Sequence, residues 1–134
     1  MARNARILES AKNLGWGGGN NRAIRAALAE GCEYAVLLNI DTVVDPGWLS
    51  ALVEAAGRRA DLHILQSKIL LDGTGRINSL GNRIHYLGYG YCNGYGEADG
   101  HPTDGLVVDY ASGASMLVRR EVFERIGFFR NDYL

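Results

Sequence analysis

Tyr34-Ala35-Val36-Leu37-Leu38 is an unbroken apolar run that stops at Asn39-Ile40-Asp41. A run this short and uniform reads as a strand buried on both faces, which is how parallel strands are built. Before it, Ala23, Ile24, Ala27 and Leu28 recur at helical spacing, with Arg22, Arg25 and Glu30 on the opposite face. After it, Asp45-Pro46 offers a helix start, with Asp as N-cap and Pro in the first helical position. Trp48, Leu49, Leu52, Val53 and Ala56 then form one apolar stripe, and Gly57 is placed to close the helix. A strand between two amphipathic helices predicts an α/β fold with a mainly parallel, Rossmann-like sheet.

The rest of the chain fits smaller elements around that unit. Residues 64–71 read as the next strand, and Asp72-Gly73-Thr74-Gly75 as a turn. Residues 76–79 and 83–87 read as strands of a small antiparallel meander. Residues 88–105 have no periodicity and read as a long loop, with Tyr86, Tyr89, Tyr91 and Tyr95 in or beside it. Residues 106–111 and 115–119 read as strands, 121–126 as a short helix ended by Gly127, and 128–134 as a tail with two exposed phenylalanines. The whole is expected to be a single partial domain, cut from something longer at both ends.

Glycine is clustered, and so are the candidate functional positions. The run Gly15-Trp16-Gly17-Gly18-Gly19-Asn20-Asn21 precedes the first helix, with Asn20 or Asn21 as its N-cap. Free backbone N–H groups at such an entrance favour an anion. The run matches neither the phosphate-loop pattern nor the dinucleotide fingerprint, so a plain Gly-rich connection competes with a phosphate or sugar role. Ligands of open α/β sheets bind at the carboxyl ends of the strands, where Asp41 stands. Its carboxylate can ligate Mg²⁺ or Mn²⁺ shared with substrate phosphates, or it can cap the turn that follows. Asn39, two residues earlier, points the same way if the extended geometry continues. His63, His85 and His101 are scattered without ligand spacing. Asp99, Asp104 and Asp109 flank the long loop, either as acid/base groups or as solvated charges. The tyrosines there suit the C–H face of a saccharide, or belong to a surface loop.

Charge and cysteine usage exclude several classes. The formal net charge is -1, so no global basic field draws in nucleic acid. Cys32 and Cys92 lie far apart in no metal-like spacing; two free thiols of a cytosolic protein are expected over a disulfide. No apolar run of signal-peptide length follows the first residues, and no stretch approaches the roughly 20 apolar residues that cross a bilayer. A cytoplasmic location is expected, with peripheral association at the inner membrane open to a longer parent.

Four segments, taken in order, resemble the family 2 glycosyltransferases of the GT-A fold, particularly the bacterial rhamnosyltransferase-like members. They are Asn13-Leu14-Gly15-Trp16-Gly17-Gly18-Gly19-Asn20-Asn21-Arg22-Ala23-Ile24; Leu37-Leu38-Asn39-Ile40-Asp41-Thr42; Val108-Asp109-Tyr110-Ala111-Ser112-Gly113-Ala114-Ser115-Met116-Leu117-Val118-Arg119-Arg120; and Val122-Phe123-Glu124-Arg125-Ile126-Gly127-Phe128-Phe129. The resemblance implies transfer of a sugar from a nucleoside-diphosphate-sugar donor to a saccharide or lipid-linked acceptor, in bacterial cell-surface polysaccharide synthesis. It implies a divalent cation, Mg²⁺ or Mn²⁺, on Asp41, the carboxylate retained from an Asp-x-Asp-like motif that reads Asn39-Ile40-Asp41 here. It places Gly18, Asn20, Asn21 and Asn39 on the donor side with Asp41, and Gly113 and Ala114 on the acceptor side.

The resemblance also implies that the first nucleotide-binding strand precedes this chain and that the catalytic base follows Leu134. Asp132 lies upstream of the position expected for that base. Loss of a general base costs roughly 100-fold to 10,000-fold in rate. The chain alone is therefore expected to be nearly inactive, and its uncovered edges are expected to self-associate. Two other readings compete. One is a non-catalytic saccharide- or nucleotide-binding module. The other is a sugar-nucleotidyltransferase, which requires a Gly-rich loop with a basic residue near the chain start, and none is visible.

Overall fold

In a computed structural model, which describes residues 5–100 and 106–132, the chain runs through three helices and seven short strands. These are α1 (Gly15–Ala29), β1 (Tyr34–Leu38), α2 (Trp48–Arg58), β2 (Ile64–Gln66), β3 (Ile69–Leu71), β4 (Arg76–Ser79), β5 (Asn82–Ile84), β6 (Gly90–Cys92), β7 (Ser115–Arg119) and α3 (Arg120–Ile126). The chain divides into two compact units. One is built from the described parts of Met1–Ala35 and Arg119–Leu134, the other from Val36–Val118.

In the first unit, α1 begins at Gly15, so the Gly-rich run forms the helix's first turns. The expected cap at Asn20 or Asn21 is thereby corrected. The Gly15 N–H is received by the Asn13 side chain at 2.9 Å, and Asn20 sits one turn inside, donating to the Trp16 carbonyl at 2.8 Å. Glycine costs about 1 kcal/mol per residue in a helix interior, so so many at a helix start need a packing reason. Gly17 supplies one: a Cβ there would lie 3.1 Å from the Arg130 carbonyl oxygen and 3.2 Å from Asn131 Oδ1. Its missing side chain lets residues 129–131 lie against the helix.

That segment is held by rings. Trp16 meets Phe129 edge-on at 5.1 Å, Phe123 stacks with Phe128 at 5.5 Å, and the Arg25 guanidinium lies 3.7 Å from the Phe128 ring centre. The two phenylalanines are thus half-buried partners of α1 and α3, where an exposed tail was expected. The buried stripe of α1 starts at Asn21 and includes Ile24; Ala23 is exposed. The helix ends as expected at Gly31, with φ of +89°. Gly31 donates to the Leu28 carbonyl and Cys32 to that of Ala27, the paired bonds of a Schellman ending. Arg120 reinforces this end, donating to the carbonyls of Cys32 (2.9 Å) and Leu28 (2.5 Å), which also suits the negative pole of the helix.

Strand β7 lies between β1 and β2 in a three-stranded sheet. β2 and β7 are antiparallel, with Leu65 opposite Leu117. The pairs β3–β4 and β5–β6 are antiparallel too. No parallel ladder occurs among the described residues, which corrects the expectation of a mainly parallel sheet. The cause is the placement of β7, which occupies the position beside β1 that a parallel β2 would take after the α2 crossover. The expectation of a buried strand holds for alternate residues of β1, Ala35 and Leu37; Leu38 is 40% exposed.

Helix α2 starts later than its Asp-Pro signal. Asp45-Pro46-Gly47-Trp48 closes a turn first, with the Trp48 N–H received by the Asp45 carbonyl at 3.1 Å and Gly47 at φ +84°. A positive φ in the third position is what a type II turn needs, and Pro in the second favours it. The helix runs past Gly57 to Arg58 and buries Leu52 and Ala56 against the sheet side; Leu49 and Val53 stay substantially exposed. The single strand expected over residues 64–71 is two strands in different sheets, broken at Ser67-Lys68. The expected long loop contains β6, which pairs with β5; its residues 101–105, with His101 and Asp104, lie outside the described residues. Residues 106–111 contribute only an isolated bridge, Asn82 to Tyr110.

Candidate functional site at the exit of the first strand

The chain leaves β1 through a tight turn. The Thr42 N–H (3.3 Å) and hydroxyl (2.6 Å) both donate to the Asn39 carbonyl. This hydroxyl performs the turn-capping role that had been the alternative for Asp41. Ile40 is fully exposed and Asp41 is exposed; among the described residues none donates to the Asp41 carboxylate. An exposed carboxylate without a competing donor keeps its lone pairs for a ligand.

Two sequence-expected groups meet here. The Asn39 N–H donates to the Ala114 carbonyl at 3.0 Å, which places the 112–114 loop beside the strand's exit. Asn39, expected on the donor side, and Ala114, expected on the acceptor side, are therefore neighbours, with Gly113 between Ala114 and Ser112. The loop is pinned by Gln66, whose Oε1 receives the Ser112 N–H at 2.5 Å while its Nε2 donates to buried Ser79 Oγ at 3.2 Å. Behind the loop, Ser115 and Ser67 hydroxyls lie 2.8 Å apart, and the Trp48 indole N–H is shared between them at 2.9 Å to Ser67 and 3.1 Å to Ser115. Gln66, Ser67 and Trp48 were not anticipated. The available signal was Gln66-Ser67-Lys68, polar residues interrupting an apolar run.

Gly18, Asn20 and Asn21 belong to the other unit. Asn21 is 7% exposed and its amide is committed to the backbone of Phe129: Nδ2 donates to the carbonyl at 2.7 Å, and Oδ1 receives the N–H at 3.0 Å. In this conformation it clamps the segment after α3. Gly18 lets Leu14 approach, since a Cβ would lie 3.0 Å from Leu14 Cβ. Asn20 is half-buried, and its side chain bonds back to the Trp16 carbonyl within α1. A cavity of about 290 Å³ in the same unit is lined by Glu33, Tyr34, Arg119, Arg120, Glu121 and Glu124, none of them an expected site residue.

The other acidic candidates are occupied. Asp109 receives the Ile84 N–H at 2.8 Å and lies 3.6 Å from Arg83. Asp99 pairs with Lys68 at 2.6 Å. The Arg130 guanidinium holds the Asp132 carboxyl below its ordinary range, so Asp132 is a weak proton acceptor. Among the described residues no group of three His, Cys, Asp or Glu side chains could hold a metal. A cation at Asp41 would therefore need further ligands from outside the protein, such as phosphate oxygens and water, an arrangement Mg²⁺ accepts. Cys32 and Cys92 are free and exposed. Among the described residues, no helix is long and apolar enough to cross a membrane.

Comparison with known sequences decides the family. The profile described as Glycosyl transferase family 2 matches residues 1–127. The chain belongs to that family. The chain is also similar to the uncharacterized proteins Mb1552 of Mycobacterium bovis and Rv1525 of Mycobacterium tuberculosis, each 42% identical over 50 residues. Those segments cover 37% of this chain and 19% of each relative, so the match spans about a fifth of the relatives' length. No solved structure matches the chain.

Proposed function

We propose that this chain carries the diphosphate-binding corner of an enzyme that moves a sugar from a nucleoside-diphosphate donor to a hydroxyl of a saccharide or lipid-linked acceptor. The observation that supports it is the exposed, donor-free Asp41 carboxylate on the turn leaving β1, beside the Ala114 loop. A divalent cation bound there would offset the charge that gathers on a departing diphosphate. Asp41 would hold that cation, with Mg²⁺ or Mn²⁺ the fitting ions. The Asn39–Ala114 backbone bond fixes the turn relative to the loop, so the carboxylate's place is set before a donor arrives. Gly113 and Ala114 leave room for a sugar ring at the acceptor side. The rhamnosyltransferase-like character, the role in cell-surface polysaccharide synthesis and the cytoplasmic or inner-leaflet location belong to the same proposal, supported by the four motif segments.

Calorimetric titration with nucleotide-sugars in the presence of Mn²⁺ tests this reading. Binding is expected to need the ion and to weaken at least about tenfold in Asp41→Ala, the scale of one lost charge-assisted contact. Equal affinity in the variant would remove Asp41 from the site.

A further inference from the structure

The β5–β6 hairpin carries a second feature that the transfer chemistry does not use. Its register sets Arg83 opposite Tyr91, and the His85 N–H continues the ladder to the Tyr89 carbonyl at 2.8 Å. A turn closes it, with the Gly88 N–H donating to the His85 carbonyl at 2.8 Å and Gly88 at φ +87°. Side chains alternate across a strand, so Arg83, His85, Tyr89 and Tyr91 share one face. On the opposite face Asn82 is 5% exposed and Gly90 leaves room for the Tyr110 ring, whose hydroxyl would lie 2.1 Å from an added Cβ, while Ile84 and Cys92 are open to solvent.

The outward face is ordered and aromatic. His85 stacks on Tyr89 at 4.5 Å with rings 16° from parallel, and Tyr86 leans on His85 from 4.3 Å. Tyr89 and Tyr91 remain about half exposed, at 55% and 48%. Stacking fixes ring direction, and tyrosine loses little conformational entropy when it makes a contact. Ile84 belongs to the other face. The Arg83–Asp109 ion pair, 3.6 Å apart, stands at its end. A dry apolar partner would have to bury that pair, at a cost. A ligand with apolar ring faces and hydroxyl edges would use both the aromatic rings and the charged pair.

We propose that this face is a saccharide-binding platform, on which a pyranose ring of the acceptor stacks against Tyr89 and Tyr91 while Arg83 and Asp109 meet its hydroxyls. The assignment rests on the sugar-transfer reading for its ligand class, and it involves none of the residues assigned to the diphosphate. The net charge of -1 disfavours the other common user of aromatic platforms, single-stranded nucleic acid.

The test uses the full chain on an array of oligosaccharides containing rhamnose, galactose, mannose, glucose or N-acetylglucosamine, with a deoxythymidine oligonucleotide as a separate arm. At least one oligosaccharide is expected to be retained, with affinity falling about tenfold in Tyr89→Ala and in Tyr91→Ala. Tyr89→Phe, which keeps the ring, is expected to hold most of the affinity and controls for folding. Asp41→Ala is expected to bind oligosaccharides like the unaltered chain, and the tyrosine variants to keep any Mn²⁺-dependent binding of nucleotide-sugar. Failure of the diphosphate reading would therefore leave the array result standing, and the reverse. Retention of no oligosaccharide, retention unchanged in both alanine variants, or tyrosine-dependent capture of the oligonucleotide alone would overturn the platform.

Discussion

Single side chains in this protein are decided by what their polar atoms can reach. Asn21 sits within a helix yet directs its amide to the Phe129 backbone, with a longer bond from Nδ2 to Asn131 Oδ1. Replacing Asn21 with alanine strands a partly buried N–H and C=O, and unfolding in urea should show a loss of about 1–3 kcal/mol. Asn20→Ala removes only an exposed bond to the Trp16 carbonyl and should stay within about 0.5 kcal/mol of the original. Similar losses in the two variants would argue against the clamp. Sequence could identify both as polar residues at a helix start but could not separate them, because the difference lies in a partner 108 positions away. Asp61 shows the electrostatic side. A hydrogen bond from the Arg59 guanidinium holds its carboxyl down at about 2. Because the folded form binds its proton less readily than the ordinary carboxyl, the pairing favours the fold above the usual carboxylate range and fades as pH falls toward 2. Both groups are exposed, so the effect on stability is small. In Arg59→Gln, the Asp61 carboxyl followed by NMR should titrate nearer the ordinary 3.8; an unmoved midpoint would contradict the pairing.

Elements were legible where periodicity was strong and obscure where tertiary contacts outweighed local preference. The helix around Ile24, its ending at Gly31, the apolar run of β1 and the stop at Gly127 could all be read from residue order. The start of α1 could not, since four glycines in five residues argue against a helix until Gly17 is seen packed beneath Arg130 and Asn131. That contrast is testable within one helix. Gly19 has open space where a Cβ would stand, so Gly19→Ala should raise stability by about 0.5–1 kcal/mol through helix preference alone. Gly17→Ala gains the same preference but crowds the Arg130 carbonyl and Asn131, and thermal unfolding should show little or none of that gain. An equal rise in both would mean that residues 129–131 do not rest on the helix. The break between β2 and β3 was marked by Gln66-Ser67-Lys68, but the function of those residues appears only once Gln66 reaches both Ser112 and Ser79.

Taken whole, the chain joins family membership to one exposed carboxylate at a strand's exit. The sheet that delivers Asp41 is smaller and more antiparallel than residue order implied, yet the Asn39-to-Ala114 bond still brings the strand's end to the Ser112-Gly113-Ala114 loop. Strand pairing depends on long-range neighbours, so β7 could not be placed between β1 and β2 from local patterns. Ile40 and Val43, 105% and 94% exposed, flank Asp41. Apolar groups this open favour self-association, and sedimentation should show it declining in Ile40→Ser with Val43→Ser, while equal association in that variant would place the contact elsewhere. Paramagnetic broadening by Mn²⁺ with pyrophosphate probes Asp41 itself without any choice of nucleotide or sugar. Backbone amide signals of Asn39, Asp41, Thr42 and Ala114 should broaden first and recover in Asp41→Asn; broadening centred on other carboxylates, or unchanged by that substitution, would contradict the account.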